Sequence, residues 1–259
     1  MKLNLVPARQ GALWARRGVR TFFRQPLALS GLFFMFLALA SILSLIPIIG
    51  NLVALVLLPG ITAGFMAASR QAHNGRFPMP WVLLAAFRQG KASLQAMLTL
   101  GALYAAAIVL AMSASALLDG GQFASIYLLG GNLTENLLKD DSFLQAALLA
   151  TALYTPISLL FWHAPALVHW HGITPVKSVF FSFMACRQNL GAFFVYGLTW
   201  IGLSMATGLV VATIGRMLGD ASTAAAIMMP TMMLIAAMFF TSQYFTFSDS
   251  FDLPNTETP

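Results

Sequence analysis

The stretch "LALSGLFFMFLALASILSLI", residues 27–46, decides the fold. None of its side chains is charged, and an α-helix of this length is about 30 Å long, which matches the hydrocarbon core of a bilayer. The apolar region of a cleavable signal has only about 7 to 15 residues, and here a second apolar run follows at residue 48. We therefore interpret residues 27–46 as an uncleaved membrane span.

The whole chain has the composition of an integral membrane protein. Of its 259 residues, 59% are hydrophobic and 8% are charged, whereas about a quarter of the residues in a soluble domain are charged. The single cysteine, Cys186, cannot form a disulfide within the chain. This composition excludes a water-soluble fold.

Further apolar runs predict an all-α membrane protein with six transmembrane helices. Helices are favoured over strands because the runs are continuous rather than alternating, and because a lone strand would leave backbone groups unpaired in lipid. The predicted spans are residues 27–46, 48–69, 92–118, 143–168, 190–218 and 223–245.

Basic residues are concentrated on one side of these spans. That side carries 12 of the 14 lysines and arginines, namely Lys2, Arg9, Arg16, Arg17, Arg20, Arg24, Arg70, Arg76, Arg88, Lys91, Lys177 and Arg187. Because positive charge is retained on the cytoplasmic side, we expect both termini in the cytoplasm. The net charge of +6 then follows from topology and anionic lipid, and we expect no nucleic-acid partner because no such motif is present.

A threefold internal repeat is indicated by the order of features along the chain. Each odd-numbered span follows a short segment that has the pattern of an interfacial helix, and each even-numbered span contains a proline. This order predicts three pseudo-repeats of interfacial helix plus helical hairpin. The alternative is that basic boundaries and prolines are common in any six-span protein.

We expect one membrane domain over residues 1–259. The predicted parts are a basic amphipathic segment (1–26), a first hairpin (27–69), an interfacial helix with a second hairpin (77–168), an interfacial helix with a third hairpin (174–247) and a mobile tail (248–259). The second hairpin contains a glycine-rich, acidic external insert at residues 119–142.

The leading hypothesis for function is a basic cytoplasmic collar that carries out no catalysis. It would bind membrane lipids with anionic headgroups, or a membrane-protein partner such as a second copy of the chain. The predicted binding residues are Arg16, Arg17, Arg20, Arg24, Arg88 and Arg187. On a helix the first four fall within an arc of about 100°. We expect Trp14, Phe22 and Phe23, which lie mostly on the opposite face, to insert into the interface; the alternative is that the charges only set topology.

A histidine cluster is the candidate metal site. Imidazoles are common metal ligands, and the stretch "FWHAPALVHWHG", residues 161–172, contains His163, His169 and His171. On a regular helix His163 and His169 lie about 240° apart, so they do not form a chelating pair. The alternative is a belt of aromatic and imidazole rings at headgroup level, and we expect no cofactor.

Transport of a lipid-like or apolar solute is the alternative function. Pro59, Pro156 and Pro230 would act as hinges around a cavity. The predicted spans contain no carboxylate, which disfavours ion-coupled transport. A third hypothesis is an enzyme of lipid metabolism, or a metal-dependent enzyme, that uses the histidines, although the chain contains no catalytic motif.

Five stretches resemble a group of six-span inner-membrane proteins of Gram-negative bacteria: "FFRQPLALSGLFFMF", "SLIPIIG", "LLFWHAPALVHWHG", "PVKSVFFS" and "MFFTSQYFTFSDSF". The resemblance covers nearly the whole chain and implies a bacterial inner-membrane location. It implies no catalytic residues, because the group has no assigned activity. More distantly, three units of helix plus hairpin resemble the membrane portion of membrane-anchored glycerophosphodiester phosphodiesterases, although the chain has no hydrolase domain.

Overall fold

The computed structural model describes residues 2–217 and 221–252, and in the last helix the side chains from residue 225 onward. The α-helices are α1 (Gln10–Arg24), α2 (Pro26–Ser44), α3 (Ile49–His73), α4 (Lys91–Asp119), α5 (Gln122–Leu129), α6 (Glu135–Leu138), α7 (Asp141–Phe161), α8 (Ala164–His171), α9 (Pro175–Gln188), α10 (Leu190–Met217) and α11 (Ala221–Ser250). A 3-10 helix, Pro80–Phe87, lies between α3 and α4.

The prediction of an all-α protein with six transmembrane helices is confirmed. Each of α2, α3, α4, α10, α11 and the run from α7 through α8 is long and apolar enough to cross a bilayer. The fourth span is divided after Phe161, and α11 continues to Ser250, beyond the predicted end at residue 245. The predicted end of the fifth span, residue 218, lies outside the described residues.

A short helix precedes each odd-numbered span, at the positions predicted for interfacial helices. These are α1 before α2, the 3-10 helix before α4, and α9 before α10. They differ in kind, because the second is a 3-10 helix of 8 residues while α1 and α9 are α-helices of 15 and 14 residues. The threefold repeat and the cytoplasmic location of both termini stay predictions.

The first compact unit comprises residues 1–33, 64–83 and 185–259. In this unit α1 packs against both α10 and α11. The ring centroid of Trp14 lies 5.4 Å from that of Phe193 and 6.0 Å from that of Tyr196, and such tilted or edge contacts are the preferred geometry for aromatic pairs. The core of the first unit is therefore built around the N-terminal helix.

The second compact unit comprises residues 34–63 and 84–184. Here α4 packs against α5, α7 and α8, and its side chains Met97 and Leu100 are fully buried. Asp119, at the end of α4, accepts hydrogen bonds of 2.8 and 2.6 Å from two backbone N–H groups at the start of α5. The carboxylate thereby caps α5 and joins it to the end of the third span.

Candidate functional site

The N-terminal helix α1 is amphipathic, and its small and apolar face is docked on the protein. The buried residues are Gly11, Trp14, Ala15, Gly18, Thr21 and Phe22. They recur every three or four positions and therefore form one stripe. The opposite stripe is exposed and carries Leu13, Arg16, Arg20 and Phe23, with Arg9 just before the helix.

Two glycines allow α1 to approach α10 and α11 closely. A Cβ atom at Gly11 would collide with the backbone of Ala192 and Tyr196, and a Cβ atom at Gly18 would overlap Ser242. Small residues at a helix contact let two backbones come together, which is how helices commonly associate in membranes. Beside this contact, the hydroxyls of Tyr196 and Ser242 lie 2.6 Å apart in a buried hydrogen bond.

The carboxylate of Asp249, in the last turn of α11, is the centre of the docking site. It accepts hydrogen bonds from Gln10 Nε2 at 2.5 Å and from Trp14 Nε1 at 2.9 Å. Arg17 donates to both carboxylate oxygens, and its guanidinium carbon lies 5.3 Å from the ring centroid of Phe245. Hydrogen bonds to a charged group contribute about 1.5–3 kcal/mol each, so this carboxylate holds α1 firmly.

The residues before α1 continue the attachment. The side chain of Asn189 accepts a hydrogen bond from the backbone N–H of Val6 at 2.9 Å and donates one to the carbonyl of Asn4 at 3.1 Å. Leu3 forms an isolated antiparallel β-bridge with Phe251. The N-terminal segment is therefore bound both to the start of α10 and to the end of α11.

Docking leaves a row of exposed arginines on α1. In the described part of the chain, Arg17 is the residue of α1 that forms an ion pair. Arg24 donates to a backbone carbonyl at the end of α3, at 2.6 Å, while Arg9, Arg16 and Arg20 are exposed. Arg16 and Arg20 are one helical turn apart, so their like charges repel. An anion bound between them would relieve that repulsion.

The expectation that Trp14, Phe22 and Phe23 insert together into lipid is wrong for the first two. Trp14 is 0% exposed and Phe22 is 2% exposed, because α10 and α11 cover the apolar face of α1. Phe23 is 64% exposed and Leu13 is 40% exposed, and both stand beside the arginines. The apolar groups that α1 can offer to a bilayer are therefore Leu13 and Phe23.

The remaining predicted binding residues lie outside α1. Arg187 is exposed near the end of α9, in the first unit, and Arg88 is exposed directly after the 3-10 helix, in the second unit. The first unit thus contains Arg187 together with the arginines of α1. Among these, Arg17 differs from the others because its charge is already paired within the protein.

The histidine cluster lies where the fourth span is divided. His163 and His169 are buried and His171 is half-buried. Within residues 2–217 and 221–252, no group of three or more His, Cys, Asp or Glu side chains is arranged to hold a metal ion. The Oγ atom of Ser182 accepts from the backbone N–H of His163 and donates to the carbonyl of Leu159, both at 2.9 Å. These two hydrogen bonds of Ser182 join the end of α7 to the start of α8, which supports a structural role for this division of the fourth span.

The three prolines occur inside helices at the predicted positions. Pro59 is buried in α3, whereas Pro156 in α7 and Pro230 in α11 are exposed. Pro59 and Pro156 belong to the second unit and Pro230 belongs to the first. Their role as hinges around a cavity stays a prediction.

Asp249 and Asn189 were not among the predicted site residues. The sequence predicts that the sixth span ends at residue 245, so Asp249 falls in the predicted mobile tail and the predicted spans contain no carboxylate. The structure places Asp249 inside α11 instead. A carboxylate at the end of an apolar helix is costly unless it is paired. The position of Asp249 next to an apolar run therefore indicates that it has a basic or hydrogen-bonding partner.

The start of the predicted tail is part of the last helix. Residues 248–250 belong to α11, and the Phe251 side chain is buried. The rest of the predicted tail, residues 253–259, lies outside the described residues.

A relative named for the inner membrane is similar to this chain along its whole length. It is a protein of Burkholderia thailandensis that bears the name "Probable inner membrane protein", and the two are 40% identical over 262 aligned residues, which cover 100% of this chain and 97% of the relative. No family model matches the chain, and no solved structure matches it. The relative's name states a location and no activity. The likeness to membrane-anchored phosphodiesterases stays a prediction.

Proposed function

The chain belongs to the same family as that inner-membrane protein of Burkholderia thailandensis, and from this premise we propose that it binds anionic phospholipid headgroups through the exposed arginines of α1. It is a multi-pass membrane protein, so a helix docked beside its spans is close to lipid. The binding residues are Arg16, Arg20 and Arg24 of α1 and Arg9 just before it, with Arg187 as a further contact in the same unit and Arg88 as a separate contact in the second unit.

The observation that carries this proposal is the separation of two kinds of arginine on one helix. Arg17 faces the protein, where Asp249 neutralises it. Arg16 and Arg20 flank it in the sequence but face away from the protein. Because docking already fixes the backbone of the helix, a headgroup that binds this face has only the arginine side chains left to order.

Electrostatic attraction supplies the affinity. A basic residue close to an anionic bilayer surface contributes about 1 kcal/mol, and a guanidinium can donate two parallel hydrogen bonds to phosphate oxygens. Leu13 and Phe23, which stand on the same face, would contact the glycerol and upper acyl region. These apolar contacts favour a lipid over a soluble anion or an acidic protein surface.

The test compares two variants that lose the same charge. Arg16→Gln with Arg20→Gln alters the exposed face and leaves Arg17 in place, so α1 remains docked. Lys139→Gln with Arg216→Gln removes two exposed charges elsewhere. Native mass spectrometry of the purified protein, titrated with phosphatidylglycerol and with phosphatidylcholine, measures the affinity for each lipid.

We expect the α1 variant to bind phosphatidylglycerol about 30-fold more weakly, since two contacts of about 1 kcal/mol each are lost. The Lys139 and Arg216 variant should retain its affinity, and binding of phosphatidylcholine should be unchanged in both. Equal losses in the two variants would mean that only net charge matters and would overturn the proposal. Retention of phosphatidylglycerol with loss of a co-purifying acidic protein would assign the face to a protein partner instead.

A further inference from the structure

A groove in the second unit lies between α2, α3 and α5. Its volume is about 260 Å³, which is slightly below the range of about 300–1,000 Å³ for ligand pockets in proteins. All of its lining residues belong to residues 34–63 and 84–184. None of these lining residues is charged, so the groove does not select a ligand by charge.

The walls are formed by regular stripes on the first two spans. Phe36, Ala40 and Ser44 contribute from α2, and their spacing of four residues places them on one face of the helix. Asn51 and Leu55 contribute from α3 at the same spacing. Eight residues of helix rise about 12 Å, so the groove follows the spans over roughly that length from the turn between them.

Polarity changes along this length. At the turn, the single proton of the Ser44 hydroxyl is shared between the carbonyl of Ala40 at 2.9 Å and Asn51 Oδ1 at 3.0 Å. The side-chain amide of Asn51 carries two N–H groups, so it can still donate a hydrogen bond to a ligand. Farther along both spans the lining is apolar, with Phe36 on α2 and Leu58 on α3. The third wall comes from α5, through Tyr127 and Leu128. The groove is thus polar at the turn and apolar away from it.

The turn that carries the polar end has a constrained backbone. Ile48 has a φ angle of 63°, in the left-handed region that β-branched residues rarely adopt. Such conformations persist where the surroundings impose them, and they are concentrated at functional sites. Across this turn, Ser44 at the end of α2 lies at hydrogen-bonding distance from Asn51 near the start of α3.

We propose that this groove binds one acyl chain of a membrane phospholipid, with its ester carbonyl at the amide of Asn51. The polarity gradient matches an ester-linked chain, and the groove is formed by helices that cross the bilayer, where such chains are the surrounding solvent. The site uses none of the arginines of α1 and is independent of the proposed headgroup binding.

The experiment uses phosphatidylcholine with a photoreactive diazirine at the end of one acyl chain, in nanodiscs that hold the full-length protein. Phosphatidylcholine is zwitterionic, so its binding does not report on the arginine face. After illumination, mass spectrometry of peptides maps the labelled residues. The exposed face of α10, at Ile201 and Leu209, reports labelling by ordinary surrounding lipid.

Two matched variants test occupancy. Ala40→Phe fills the groove, and Ala38→Phe places the same ring on an exposed position of α2 outside the groove. We expect labelling of α2 and α3 groove residues to exceed that of α10 in the native protein. In Ala40→Phe, groove labelling should fall about fivefold, which corresponds to a loss of about 1 kcal/mol of apolar contact. Ala38→Phe should label as the native protein does.

Labelling of the native groove at or below the level of α10 would overturn the proposal, as would groove labelling in Ala40→Phe equal to that in Ala38→Phe. Because the first of these results comes from the native protein, it stands even if Ala40→Phe fails to fold. Elution as a single species in gel filtration shows whether each variant is folded.

Discussion

Arg17 and Asp249 lie 232 positions apart in the sequence, yet in the fold the guanidinium of Arg17 binds both carboxylate oxygens of Asp249. The same carboxylate receives the indole N–H of Trp14. An acidic residue at the end of the sixth span thereby decides which face of the first helix meets the protein. The arginines on the opposite face, Arg16 and Arg20, stay exposed.

Loss of the Asp249 charge should loosen α1. We expect Asp249→Asn to increase the rate of trypsin cleavage after the arginines of α1 about tenfold or more, because a hydrogen bond to a charged group contributes about 1.5–3 kcal/mol. Limited proteolysis in detergent measures this rate. Asp252→Asn is the matched control, since the Asp252 carboxylate accepts a hydrogen bond from Asn4, which lies before α1. Equal cleavage in the two variants would contradict the central role of Asp249.

A methyl group at Gly18 should destabilise the protein although alanine favours helices. Glycine to alanine within a helix ordinarily stabilises by about 0.5–1 kcal/mol, but a Cβ at Gly18 would overlap Ser242, and overpacking costs about 1–3 kcal/mol. We expect Gly18→Ala to lower Tm. Gly31→Ala, whose added Cβ meets nothing within 4 Å, should leave Tm unchanged or raise it. The opposite order of the two Tm values would show that α1 is not closely packed at Gly18.

Removal of the Ser182 hydroxyl should weaken the break in the fourth span. Ser182 Oγ bonds both His163 and Leu159 across that break, and a buried group left without its partner costs about 1–3 kcal/mol. We therefore expect Ser182→Ala to lower Tm and to increase hydrogen exchange at residues 159–164. Ser158→Ala serves as the control because its bond is to Thr155 of the same helix. Unchanged exchange at 159–164 would argue against this role.

Acid should fray the start of α7. The hydroxyl and backbone N–H of Ser142 donate to the Asp140 carboxylate, and these hydrogen bonds hold its pKa below the usual value of 3.8. Because the folded pKa is depressed, the cap is fully present above pH 3.8 and is lost as the pH falls through the lower folded value. Hydrogen exchange at residues 141–144, corrected for its intrinsic pH dependence, should rise as the pH falls below 3.8. In Asp140→Asn the rise should disappear, since asparagine caps without ionising.

The six spans could be predicted because each depends on a local property, a long run of apolar side chains. The docking of α1 could not be predicted in this way. Its apolar stripe, from Trp14 to Phe22, has the same spacing whether the helix lies on lipid or on another helix. What distinguishes the two outcomes is the shape and charge of the partner, namely the surface at Ser242 and the carboxylate of Asp249, which are distant in sequence.

The groove was missed for a related reason. Phe36, Ala40 and Ser44 are ordinary residues of an apolar span, and four-residue spacing occurs in any helix. The groove exists because α5, part of the external insert, adds a third wall. The left-handed backbone at Ile48 also has no marker in the sequence, since isoleucine is a residue type that disfavours it.

The β-bridge between Leu3 and Phe251 has a consequence for biosynthesis. The ribosome synthesises α1 first and α11 last. All six spans are therefore synthesised before Asp249 is available to bind α1. Until α10 is made, the ring of Trp14 lacks the surface of Phe193 and Tyr196 that covers it, and until α11 is complete its indole N–H lacks the carboxylate of Asp249. Completion of the sixth span is therefore the event that allows the first helix to take its final place.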